Sequence, residues 1–466
     1  MTDYCARSLM LGAIAMGMLG SAAATAAPTL GELFEERRKS VLVVEFFVET
    51  EVDRRPVTVN GMVVNSDGVL QLAANAVPRW VPVDKLKEFK VYVLGESKPY
   101  EAEYIGSDRA YGWHFVQVEE ALRDRLKPVT DYPLAKLKTG QSLWGIGVAM
   151  KDMDFTPYFM RAEVSTIQWL PETVGFATGE ITSPGSILFD DDGAFAGWGT
   201  ASLNMERYLT IEGQRYQAYV RKPDQTTTFF VASELVKAIG GLPTSPDSND
   251  MTWLGVVGLQ TIDDEVAALM GLGEQAAISV SRVLKGSPAA EAGLQERDMV
   301  VSIDGEPLKR YTPRRVAVAY FEQQIAKRAI GETMDLGIIR GGESLEINAV
   351  LGQSPKAVRH ASRLYFEDLG FTIREFLTYD SVSMKMDIEL GETPGVITSF
   401  VKSNSNAHTG GAQIGDLIKE IDGVPVDGFD QAIALIDALR TDESKKDFVL
   451  LVARGAGTSV LRIALK

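Results

Sequence analysis

Histidine is scarce in this 466-residue chain, which holds only His114, His360 and His408, and cysteine is scarcer still, with Cys5 alone. Zinc sites need several such ligands at close spacing, so no metal centre is expected, and one cysteine excludes a disulfide framework. Positive charge is short too: 47 Lys and Arg face 63 Asp and Glu, a net charge of −16 at pH 7. Nucleic acids and anionic membranes are held through Lys and Arg, so neither is expected as a main partner. No P-loop occurs. Residues 271–276 (GLGEQA) fit the dinucleotide fingerprint in letters. They follow a helical stretch and precede a strand-like one, whereas that motif must follow a strand and open a helix. No cofactor is therefore expected.

What is present begins with a distinct first segment. The apolar run 9–19 (LMLGAIAMGML) is too short to span a bilayer and leads into the small-residue stretch 21–27 (SAAATAA). Residues 1–26 read as a secretory signal peptide cleaved after Ala26, which implies a periplasmic or secreted protein. Cys5 would leave with it. Beyond that point, 45% apolar and 24% charged residues are globular proportions, and the length suggests about three domains.

Apolar β-branched and aromatic runs at 41–48 (VLVVEFFV), 57–64, 69–72, 90–94, 113–118, 142–148 and 161–167, divided by Gly, Asn and Asp turns, predict an all-β barrel or sandwich. A hairpin at 187–198 turns on Asp190, Asp191, Asp192 and Gly193. That acidic turn lacks the alternate spacing of a calcium loop. A helix is predicted at 233–239, capped by Ser233 and stopped by Gly240 and Gly241. Residues 241–250 (GLPTSPDSND) have linker composition.

The rest repeats itself at a period of about 105–110 residues. WLGVVG (253–258), SVSRVLKGSPAAEAGL (279–294) and RDMVVSIDGEPL (297–308) are followed by a predicted helix at 313–327 and a strand pair. DLGFTI (368–373), VITSFVKSNSNAHTGGA (396–412) and GDLIKEIDGVPV (415–426) precede a predicted helix at 429–439 and a second strand pair. Two tandem modules of one fold explain the pattern.

These repeats resemble PDZ domains of the permuted bacterial type, through the Leu-Gly-apolar loop, the Ser-Pro-Ala-Ala element and the Asp-Gly element. The resemblance implies that loop amides receive a peptide C-terminal carboxylate and that the peptide adds as a strand. Carried over, the groove residues are Leu254, Gly255, Val256 and Val257 in the first module and Leu369, Gly370, Phe371 and Thr372 in the second. The second module departs from the pattern with SNSNAHTGGA where Ser-Pro-Ala-Ala would stand, so its peptide binding is the less supported.

A trypsin-like region followed by two such modules is the layout of the HtrA/DegP family, and residues 61–77, 104–118, 144–149, 161–167 and 180–198 resemble its protease part. The expected architecture is mainly β: a trypsin-like double β-barrel (28–240), a linker (241–251), an α+β PDZ-like module (252–352), a linker (353–361) and a second module (362–466). The family's histidine, aspartate and serine motifs fall on residues 68–77, 105–116 and 182–189, and give Asn75, Gly112 and Pro184. None of the three can serve as orienter, base or nucleophile, and proline also lacks the amide that would donate to an oxyanion. His114, two residues past Gly112, reads as a polar residue on a strand rather than a relocated base.

The resulting expectation is a catalytically inactive exported relative that binds polypeptide C-termini or unfolded segments as scaffold, adaptor or holdase. Two alternatives stand beside it: an active endopeptidase using Ser183 or Ser186 with an unconventional base, and a regulatory subunit of active HtrA-type proteases. Family resemblance implies trimers, with Leu30 and Phe34 as the anchors available in 28–39.

Overall fold

The computed structural model describes residues 27–78, 80–108, 111–169, 172–179, 181, 185–199, 226–239, 242–243, 245–246, 251–273, 275–311, 314–455 and 457–465. The expected signal peptide, residues 1–26, lies outside the described residues, as do Gly240, Gly241 and most of the first linker.

Two closed six-stranded barrels come first. Strands β1 (Val41–Glu49), β2 (Arg54–Val63), β3 (Val69–Leu72), β4 (Leu86–Val93), β5 (Pro99–Ser107) and β6 (His114–Val118) close in the order β1-β2-β3-β6-β5-β4. Strands β7 (Ser142–Val148), β8 (Pro157–Trp169), β9 (Thr173–Thr178), β10 (Ile187–Asp190), β11 (Phe195–Gly199) and β12 (Thr226–Val231) close as β7-β8-β9-β12-β11-β10, the same order again.

The unbroken apolar run in β1 has a simple cause. Leu42, Val44, Phe46 and Val48 fill the first barrel, while Val41 and Val43 face the core shared with the second. A strand buried on both faces has no reason to alternate. That shared core is aromatic: Trp113 meets Trp198 and Phe230 edge-on, at centroid distances of 5.7 and 5.3 Å. The helix Leu30–Arg37, capped reciprocally by Thr29 and Glu32, clamps the acidic hairpin turn through Arg37, whose Nε donates to the Gly193 carbonyl at 2.9 Å. Within that turn Asp190 accepts the amides of Asp192 and Ala194 at 3.1 and 2.8 Å, so its carboxylate closes the hairpin.

The helix predicted from Ser233 starts one residue earlier. It spans Ala232–Ala238 with Val231 in the cap position and no side-chain cap, because β12 runs straight into it. Two α+β modules follow, each a sheet with one long helix: Val316–Ala326 in the first, Phe429–Thr441 in the second. The first packs on the second barrel through Trp169, whose ring lies 4.8 Å from Tyr311. The second packs on the first barrel, where Arg359 donates to the Tyr104 hydroxyl at 3.2 Å and Thr372 to Glu51 at 3.3 Å.

Candidate functional site

The β3–β6 ladder determines where the first two protease-motif positions fall. Leu72, the last residue of β3, pairs with His114, the first of β6. Asn75 stands exposed three residues past Leu72, and Gly112 two residues before His114, so both lie at one end of the first barrel. Gly112 has φ +69°, a left-handed conformation that costs other residues but not glycine. From the second barrel, Gly185 abuts the first: a Cβ there would stand 2.8 Å from the Asn60 Cβ. Pro184 and Ser183 lie outside the described residues; Ser186, at the start of the β10 segment, is 2% exposed.

No histidine stands in the loops that carry Asn75 and Gly112. His114 is buried and faces the barrel interior, its Nδ1 2.8 Å from the Tyr104 hydroxyl. His360 belongs to the short 3-10 turn Val358–His360 between the modules, and His408 to the short helix Asn406–Thr409 of the second module.

Two carboxylates near Gly112 were not legible beforehand. Asp108 accepts the amides of Tyr111 and Trp113 at 3.1 and 2.6 Å and so frames the turn that holds Gly112. Glu172, buried in the β8–β9 turn, accepts from the Tyr111 hydroxyl, from Gln323 at 2.6 Å and from Lys327 at 3.3 Å. Burial and the Glu172 carboxylate push the Tyr111 phenol well above its usual range. One buried acid thus ties both barrels to the long helix region of the first module. Its partners lie 61, 151 and 155 residues away, a spacing no local pattern signals.

The two Leu-Gly loops, at which the sequence places peptide binding as an expectation, are built alike. Gly255 and Gly370 have φ +91° and +75°, and a Cβ on either would stand 2.2 Å from the Cβ of Ser287 or Ser405. Each of those serines caps a short helix, Pro288–Glu291 or Asn406–Thr409, by accepting an amide three residues on. Leu254 and Leu369 are buried anchors whose carbonyls accept from Ala289 and Ala407 at 2.8 and 3.0 Å. Val256 and Val257 are half-buried, and Phe371 and Thr372 are buried.

Comparison with known proteins agrees with this construction. Residues 279–317 match the family model described as a PDZ domain. The chain is 26% identical over 210 residues to the periplasmic serine endoprotease DegP of Salmonella typhimurium, covering 45% of this chain and 40% of that one. It is 24% identical over 238 residues to DegP of Escherichia coli K12, covering 51% and 44%. It spans less than half the length of these relatives. Among solved structures it is similar to the HtrA-type protease AlgW with tripeptide, at a TM-score of 0.50 and 16% identity, covering 71% of this chain and 98% of that one; this likeness concerns the fold alone.

The fold and loops together define a trypsin-like double barrel joined to a PDZ domain. The chain is HtrA/DegP-like: it is similar to the DegP serine endoproteases, and it carries a PDZ-domain match toward its C-terminal part.

The expectation that the chain is not an enzyme is corrected by these relatives, which are named serine endoproteases. Its physical error was to equate three aligned positions with the whole catalytic apparatus. A nucleophile and its base are defined by geometry and role, not by position in the sequence.

Proposed function

We propose that this chain is an HtrA-type serine endopeptidase of the cell envelope whose catalytic groups differ from the family's histidine, aspartate and serine at the aligned positions. Polypeptide C-termini or unfolded segments are its substrates, captured by the first module. The carrying observation is the double barrel, built twice to one strand order, with the Asn75 and Gly112 loops side by side at one barrel end. Ser183 and Ser186 are the hydroxyls available in the segment that bears the family's serine motif. The loops that carry Asn75 and Gly112 contain no histidine, so the proton acceptor is another group.

Digestion of unfolded casein by the whole chain tests this. Fragments are expected from the wild type, with the rate falling by roughly a thousandfold in Ser183→Ala or Ser186→Ala, as for loss of a nucleophile. No fragments from the wild type would remove the endopeptidase reading. A second reading, a regulatory subunit of HtrA-type proteases, is supported by Gly112, which has no side chain to orient a base at the position of the family's aspartate. Co-purification with such a protease from the native host distinguishes it.

A further inference from the structure

In the second module the strand that precedes the loop, Arg363–Phe366, folds back along the strand that follows it, Phe371–Glu375. The register is Arg363 to Arg374, Leu364 to Ile373, Tyr365 to Thr372 and Phe366 to Phe371. The other edge of Phe371–Glu375 is taken by Val396–Val401. A peptide that adds as a strand needs a free edge, and this strand has none.

The occupant imitates a ligand closely. An added peptide would run antiparallel to Phe371–Glu375 with its last residue at the loop, and Phe366 holds that place. The Phe366 carbonyl accepts the Gly370 amide at 2.7 Å, as a terminal carboxylate would. Its side chain is 1% exposed, stacks on Phe371 at 5.6 Å and lies 5.4 Å below the Arg440 guanidinium at the end of the long helix. Leu364, two residues earlier, packs against the same core.

The first module treats the matching residue in the opposite way. Met251, four residues before Gly255 as Phe366 is before Gly370, is 43% exposed. Its carbonyl accepts the Ser354 amide at 2.7 Å, and Thr252–Trp253 continue along Gly352–Gln353. Val256–Val257 pair with Arg282–Val283, and among the described residues nothing pairs their other edge.

We infer that the second module is closed to free peptide C-termini because Arg363–Phe366 serve as its internal ligand, leaving the first module as the single peptide receptor of the chain. The inference rests on the reading of these modules as peptide binders. It makes the second module a fixed brace on the first barrel.

The test uses the whole chain and a labelled pool of decapeptides ending in Val, Leu or Phe with free carboxylates. One site per chain is expected, lost in Gly255→Val, whose side chain would collide with Ser287. A disulfide staple, Tyr365→Cys with Thr372→Cys in a Cys5→Ser background, joins opposed residues about 4.5–5.5 Å apart and is expected to leave binding unchanged. Hydrogen exchange should show amides 363–366 protected, with no change at saturating peptide. Two sites per chain, binding abolished by the staple, or exposure of 363–366 on peptide addition would overturn it. If the pool binds nowhere, peptide capture by the first module falls, and exchange still decides closure: fast exchange at 363–366 refutes it and slow exchange upholds it.

Discussion

The two modules agree wherever the loop must be held and differ only in what lies along it. In both, a buried aspartate anchors the turn beneath the loop: Asp298 takes Arg340 at 2.7 and 2.6 Å and the Gln295 amide at 2.7 Å, while Asp416 takes Arg454 at 2.6 and 2.7 Å and the Gln413 amide at 2.8 Å. Both arginines reach on to a glycine carbonyl, of Gly293 or Gly411. The letters SNSNAHTGGA therefore conceal a conserved part, because the loop requires only the capping hydroxyl that Ser405 supplies. The real difference sits upstream, in four residues: Arg363–Phe366 carries Leu364 and Phe366 to fill a pocket, where residues 248–251 (SNDM) offer Met251 alone.

The largest expected contrast follows from that difference. Phe366→Ala should destabilise the second module by roughly 3–5 kcal/mol, the usual cost of emptying a buried aromatic site. Met251→Ala should change the first by no more than about 0.5 kcal/mol, as at other exposed positions. Calorimetry of the whole chain reads the two transitions. Equal losses would mean that the matching residues do the same work, and the comparison would break.

How much of this could be read in advance depends on whether the cause was local. The barrels were legible because burial on one or both faces writes itself into each strand, as at 41–48 and 142–148. β5, β9 and β12 were not recognised: Pro99–Ser107 carries Glu101 and Glu103 exposed, Thr173–Thr178 is bounded by threonines and broken by Gly175, and Thr226–Val231 opens with three threonines, so none presents an apolar run. The modules were legible as a repeat because the Leu-Gly loop, the element that follows it and the Asp-Gly turn recur in the same order, even though the loop glycine and the capping serine stand 32 residues apart in the first and 35 in the second. The closure of the second groove was not, since nothing local in RLYF distinguishes pairing with Phe371–Glu375 from pairing elsewhere. Nor was the Glu172 junction, whose partners meet only once three units are assembled.

A smaller effect should be shared by both modules. Asp298→Asn and Asp416→Asn each remove a charge-assisted pair while leaving a partly exposed arginine that water can serve, so each should cost about 2 kcal/mol. Thermal unfolding of the two single variants sharpens the comparison. Matching losses show a common frame, and a difference above about 1 kcal/mol would show that the internal strand in the second module carries part of the load there.

The smallest effect is one of pH, in the turn that follows. Asp422, at φ +49°, accepts Lys445 Nζ at 2.7 Å and the Val449 amide at 2.8 Å. The Lys445 hydrogen bond, above all, holds its carboxyl below the ordinary value of 3.8. A depressed folded-state value means that the unfolded chain takes up the proton first. The contribution is therefore complete above the ordinary value and disappears as pH falls through the folded one. Asp422→Asn keeps a side chain that tolerates the left-handed turn but abolishes the titration. The stability gap between wild type and this variant should thus be steady from pH 7 to 5 and shrink as the solution is taken toward pH 2. A gap that stays constant across that range would show that Asp422 acts through its shape in the turn rather than through its charge.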